Sequence, residues 1–304
     1  MVGFAVEPRE NTPELDIIVN GFTQSPVGQH HRLVAAAVLV VSAISVSAQK
    51  VDNSANRGLT PVLTPDQVAV AIRDRDIGRD SRAEMRMRLF DRQGRVRERV
   101  MTLLALQGTG KTGDRTLVRF SYPNDIKGTG LLVWEHPDGE DERFLYLPAL
   151  GRVRRIAGQE KQESFAGSDL SYEDIGGREL ADYTYSFTDQ NATWVAPDGA
   201  KHPAWALESR AKDRAVDYPR SVSLVLKDRF IIVHGDTYNA RNERAKVFDV
   251  RKMDRIDGIW TVLDLVVANE RDRTRTELTT TAIRYNVGLG EAELSRRALE
   301  QSSR

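Results

Sequence analysis

From Met85 onward the chain alternates between apolar and charged positions. Met85, Met87 and Leu89 are separated by Arg86 and Arg88, a period of two that predicts a strand with one apolar and one polar face. Asp91-Arg92-Gln93-Gly94 predicts a turn, and residues 96–106 return as the second arm of a hairpin. Residues 116–122 form a third predicted strand. Three more follow in 128–136, 142–148 and 151–156, bounded by Pro137-Asp138-Gly139 and by Pro148-Ala149-Leu150-Gly151. Residues 182–187 and 204–211 continue the pattern. Segments 221–227 and 230–238 then flank Asp228-Arg229. Segments 246–256 and 259–269 flank Asp257-Gly258, one of the strongest two-residue hairpin signals, and 275–286 is the last long strand.

Helical spacing is confined to three places. Thr64-Pro65-Asp66-Gln67 combines a capping threonine, a first-turn proline and a glutamine three residues after the cap, and predicts a helix to about Asp76 with Val68, Ala71 and Ile72 on its apolar stripe. Ser171 and Asp174 predict a single helical turn after Gly167-Ser168-Asp169. Residues 291–301 form a short amphipathic helix with Leu294, Ala298 and Leu299 on one side. The sum is about a dozen strands joined by short turns, with no long crossover helix between them. That predicts a mainly β (α+β) fold built on a large curved antiparallel sheet, in one domain spanning 49–304.

The N-terminal region reads differently. Residues 33–46 are apolar except for Ser42 and Ser45, follow His30-His31-Arg32, and end in Val46-Ser47-Ala48. A short apolar core with small residues at its end is the pattern of a secretory signal, and it falls short of the roughly 20 apolar residues a membrane span needs. Residues 1–48 are therefore expected to be a signal-peptide region with an over-long start, and Gln49 the first mature residue. The expected location is the periplasm, with only peripheral membrane contact.

Charge and composition narrow the function. Formal net charge is zero, which argues against a nucleic-acid partner. The chain has no cysteine, so disulfides, thiolate metal sites, a cysteine nucleophile and a lipidated N-terminal cysteine are excluded. Gly108-Thr109-Gly110-Lys111-Thr112 looks like the end of a phosphate-binding loop, but Ala105 replaces the first glycine and a strand follows instead of a helix. No pair among His30, His31, His136, His202 and His234 has the helical spacing of a metal site. Gly-x-Ser-x-Gly is absent, and Gly167-Ser168-Asp169 reads as a cap before it reads as a nucleophile. No cofactor, metal or catalytic residue is assigned, and the chain is expected not to be an enzyme.

Several blocks occur in fixed order across the middle of the chain: Gly128-Thr129-Gly130-Leu131-Leu132, Trp134-Glu135-His136, Tyr146-Leu147-Pro148-Ala149-Leu150, Arg152-Val153-Arg154-Arg155-Ile156, and Phe165-Ala166-Gly167-Ser168-Asp169-Leu170-Ser171-Tyr172-Glu173-Asp174. Together they resemble the LolA-like family, in its branch of outer-membrane lipoprotein-sorting proteins. The resemblance implies a half-open barrel whose concave face is covered by helices, here the Thr64 helix and the segment after Phe165. It implies a cargo of lipid or lipoprotein acyl chains and an RND-type inner-membrane transporter as partner. The aromatic and aliphatic residues Leu132, Trp134, Phe144, Tyr146, Phe165, Trp260 and Leu263 are candidates to line a lipid cavity; they are equally candidates for plain core. Arg152, Arg154, Asp169, Tyr172 and Asp174 are candidates for contact with a headgroup or partner, the alternative being that these arginines and carboxylates pair with one another. Two other readings remain: a periplasmic sensor that binds a partner protein, and a hydrolase using His136 with a nearby carboxylate.

Overall fold

The computed structural model describes residues 63–109, 112–136, 140–177, 180–213 and 216–301. The expected signal region and the start of the mature chain lie outside the described residues. Thirteen strands are described: β1 (Asp80–Phe90), β2 (Val96–Leu106), β3 (Arg115–Tyr122), β4 (Gly130–Trp134), β5 (Glu142–Leu147), β6 (Arg152–Ile156), β7 (Tyr183–Val195), β8 (Lys201–Ala211), β9 (Arg220–Leu226), β10 (Ile232–Tyr238), β11 (Arg244–Ile256), β12 (Ile259–Asn269) and β13 (Thr274–Tyr285). All belong to one open antiparallel sheet, ordered β6-β5-β4-β3-β2-β1-β13-β12-β11-β10-β9-β8-β7. Two meanders are thus joined where β1 pairs with β13, from Ser81–Tyr285 to Phe90–Arg275.

Local sequence explains most of the strands. In β1 the alternating residues Ala83, Met85, Met87 and Leu89 are buried while the arginines between them are exposed. Asp257 and Gly258 both take positive φ, 50° and 86°, so that Ile256 pairs directly with Ile259 across the tightest of the hairpins. The glycine-rich stretch after β2 leads to the antiparallel partner β3 rather than to a helix, and the Gly108 amide donates to Asp114. A sheet this wide does not stay flat. Register shifts at Glu84/Met85, at Val250/Lys252 and Lys252/Met253, and along β7 add local bend and twist.

Each face has its own cover. Helix α1 (Pro65–Arg73) has the capping box expected at Thr64 and Gln67, and lays Val68 and Ala69 on Leu207 and Val225 of β8 and β9. It ends at Arg73, three residues before the expected stop. Helix α2 (Tyr172–Gly176) is the single turn capped by Ser171 and Asp174. The C-terminal helix is shorter than its spacing predicts: only α3 (Arg296–Glu300) is helical, capped by Ser295. It packs Leu299, together with Leu294, against Leu117, Leu132, Phe144 and Tyr146. These residues lie on the face opposite to Leu131, Val133 and Leu145, which join the main core.

The main core runs along the concave face. Met85, Met87, Leu103, Phe120, Val250, Leu265 and Leu278 share one cluster with Phe165, Leu170 and Ile175 from the segment between β6 and β7. Phe165 is 1% exposed, 5.3 Å from the Phe120 ring and 5.8 Å from that of Tyr172. Phe165→Ala is therefore expected to lower the free energy of unfolding by about 3–5 kcal/mol. Removing only the cap of α1, by Thr64→Ala, should cost about 1 kcal/mol. Urea denaturation of both variants checks the difference.

Candidate functional site

The free edges of the sheet, β6 and β7, are consecutive in sequence. Whatever joins them has to travel from one edge to the other across a face. Residues 157–177 of this connection lie over the concave side, and Asp169 fixes the middle of it. The Asp169 carboxylate accepts hydrogen bonds from the hydroxyls of Thr274 and Thr276 on β13, the latter at 2.8 Å. Its amide donates to Thr276 Oγ1 at 2.9 Å, and its carbonyl accepts from Lys246 Nζ of β11 at 2.8 Å. Lys246 also stands 4.0 Å from Asp174, whose other role is to accept the Ser171 amide at 2.8 Å. Gly176, at the end of α2, lies so close to Arg143 that a Cβ there would stand 2.5 Å from Nη2. The crossing segment is thus clamped by polar contacts at its centre and fills the floor beneath with Phe165, Leu170 and Ile175.

Two hollows among the described residues bear on the site, and one of them borders this segment. One, of about 120 Å³, is apolar and lies between the end of α1 and the concave face, with Met85, Leu103, Phe248, Trp260 and Leu265 in its wall. The other, of about 290 Å³, is polar and borders Arg97, Asp169, Tyr218, Lys246 and Arg275. The apolar one falls below the roughly 300–1,000 Å³ of pockets that enclose drug-sized ligands.

The residues singled out by sequence divide among three places. Phe165 lies on the concave floor, and Trp260 and Leu263 border the apolar hollow. Leu132, Phe144 and Tyr146 are on the outer face under Leu294 and Leu299. Trp134 is half-buried, with the Arg115 guanidinium 4.1 Å over its ring and the His136 ring tilted at 32° to it, 4.9 Å away. Asp169, Tyr172 and Asp174 come together with Phe165 in the crossing segment. Arg154 reaches the same segment by pairing with its Glu160 at 2.8 Å, and its charge acts on the Tyr172 hydroxyl, whereas Arg152 is exposed on the edge strand β6. Sequence reasoning missed Lys246 of β11 and Thr274 and Thr276 of β13; the alternate spacing of the two threonines was the available signal. His136 hydrogen-bonds Glu142 at 3.2 Å, and among the described residues no hydroxyl is bonded to it. Among the described residues, no group of three or more acidic, histidine or cysteine side chains is placed to hold a metal, and no helix is long and apolar enough to cross a membrane.

A family model described only as that of an uncharacterized protein matches residues 112–301. A crystal structure of a DUF1329 family protein from Desulfovibrio piger is 31% identical, covers 77% of this chain and 97% of its own, and superposes with a TM-score of 0.69. The chain belongs to the DUF1329 family. A second structure, described as an outer membrane lipoprotein-sorting protein domain from Vibrio parahaemolyticus, is 28% identical over 78% of this chain and 98% of its own, with a TM-score of 0.69. A LolA superfamily protein from Nitrosomonas europaea, 13% identical over 78% of this chain and all of its own, superposes at 0.58 and shows the fold alone. No curated protein matches the chain. This DUF1329 chain therefore has the LolA-like open sheet that the central motifs implied.

Two outcomes test the site. Asp169→Ala should raise amide hydrogen exchange in the crossing segment around Phe165 and Leu170 while the strands stay protected, and should lower global stability by about 1–3 kcal/mol. Exchange that stays slow there would disprove the clamp. On the other face, His234 Nδ1 lies 2.6 Å from Asp249 and Nε2 3.6 Å from Asp236. The Asp249 hydrogen bond, opposed by burial and supported by the charges of Asp249 and Asp236, raises the His234 pKa above the usual value. The folded protein holds this proton more tightly than the unfolded chain. The stabilisation is complete below about pH 6.5 and is lost as pH rises through the folded pKa. Urea titrations across that rise should show wild type losing stability relative to His234→Gln.

Proposed function

We propose that the chain is a periplasmic carrier that takes up lipid or lipoprotein acyl chains on the concave face and passes them between membrane partners without making or breaking a bond. The observation that carries this reading is the crossing segment. It is a short stretch of the protein's own chain, clamped by a few polar contacts, that places Phe165, Leu170 and Ile175 on an apolar floor continuous across the sheet. Cargo enters by lifting that segment, and an acyl chain takes the place of its side chains.

The magnitudes are compatible. Exposing three such side chains costs about 1.5–3 kcal/mol each, and each buried methylene returns about 0.8 kcal/mol. An acyl chain of about six to eleven methylenes thus offsets the displaced plug, which suits the chains of membrane lipids. Release then needs a partner that favours the closed form or holds the cargo more tightly. The resemblance noted in the sequence supplies the class of that partner, an RND-type inner-membrane transporter. It also supports reading residues 1–48 as the export signal and 49–304 as the carrier domain. The lipoprotein-sorting description of the Vibrio parahaemolyticus relative supports the same cargo class.

The test is to produce the full chain with its own N-terminus in a Gram-negative host, purify it from the periplasm and analyse the organic extract by mass spectrometry. About one lipid per protein is expected. Asp169→Ala should exchange a fluorescent acyl probe about tenfold faster than wild type, as loss of clamping hydrogen bonds implies. An empty protein that takes up no acyl probe would sink the proposal.

A further inference from the structure

The apolar hollow under α1 has one charged residue in its wall. Its polar members are Arg75, Ser81, Thr261, Thr280 and Tyr285; the rest is aliphatic and aromatic. Thr261 and Tyr285 satisfy each other through a 2.8 Å hydroxyl contact. Arg75 is different. Among the described residues its guanidinium makes one long hydrogen bond, 3.4 Å to the Trp260 carbonyl, and has no carboxylate at ion-pair distance. Its chain neighbour Asp76 is turned to the Gly78 amide, 3.0 Å away. The neighbouring Arg229, stacked 4.1 Å over the Trp260 ring, is already paired with Asp228 at 2.6 Å. Burial pushes the Arg75 pKa down, against the raising effects of Tyr285 and Asp76, so the guanidinium gains from an added anion.

The backbone holds this group in place. The chain leaves α1 and turns at Gly78, with φ of 76°, where a Cβ would stand 3.0 Å from the Tyr285 ring and 3.2 Å from Ile259. The Arg75 bend is thereby seated against β12 and β13 instead of swinging free.

We infer that this hollow binds a single-chain carboxylate of the fatty-acid class, its head paired with Arg75 and its first methylenes on Met85, Leu103 and Leu265. The inference rests on the carrier reading and adds to it the head group and the place where that head sits. A planar guanidinium offers two parallel donors to a carboxylate, which a neutral alcohol cannot match. A volume of about 120 Å³ holds only the start of a chain. The remaining methylenes run along the concave face once the crossing segment lifts.

Calorimetric titration of the full chain with decanoate, decanol and acetate tests this. Decanoate is expected to bind about tenfold or more tightly than decanol, as a charge-assisted contact adds to the shared chain, and acetate not to bind measurably. Arg75→Gln should bring decanoate down to decanol, and Arg75→Lys should keep part of the preference. Ile72→Phe, which fills the hollow from the half-buried side of α1, should weaken both. Equal binding of decanoate and decanol to the wild type, or a preference that survives Arg75→Gln, overturns the inference. If the two bind equally and Ile72→Phe weakens both, the carrier reading stands without it. If neither binds and no lipid co-purifies, both fail.

Discussion

Both open edges of the sheet lie in the middle of the chain, and one connector has to reach from the first to the second. That constraint governs the molecule. Because β1 pairs with β13, the sequence-adjacent strands β6 and β7 are the most distant pair in the sheet. A connector laid over the apolar side buries it. The described part of the connector belongs to no strand of the sheet, so the strand ladder does not depend on it. A covered apolar face thus follows from one topological fact.

The connector is held in an unusual way for a core element. Its apolar residues would stay in place by burial alone, yet its centre is fixed by Asp169 to two threonine hydroxyls and to Lys246. Polar contacts under cover are directional, and each loses most of its worth with a small displacement. They fix one seated position for the segment. Apolar packing alone would let the segment slide. The proposed role as a lid rests on this combination of an oily underside with a polar clasp.

Much of this architecture was legible in the sequence. The period-two alternation of β1, the Asp257-Gly258 turn and the Thr64 capping box are local rules, and they hold because neighbouring residues alone decide them. The inner and outer faces of β4 and β5 were not legible. Leu131, Leu132, Phe144 and Leu145 are all buried, since the sheet is covered on both sides there and alternation disappears. Parity could not show that Leu132, Phe144 and Tyr146 would meet the C-terminal segment. The partners of Asp169 were hidden for another reason: Thr274 and Thr276 lie more than a hundred residues away, and only the closure of β1 on β13 brings them under the connector. Arg75 escaped notice because an arginine just past a helix end is an ordinary C-terminal charge; its lack of a carboxylate partner is a tertiary property.

The pairing of β1 with β13 has a consequence for biogenesis. The seam that unites the two halves of the sheet joins the first strand to the last, so it is the most non-local contact in the fold. Each meander can zip up from its own hairpins as it is made, but β1, paired with β2 on one side, keeps its other edge open until β13 has been delivered. Folding of such a topology is slow, and the waiting edge invites strand addition from other chains. Were the chain exported N-terminus first, as its proposed periplasmic role implies, that edge would stay open until the last strand had emerged.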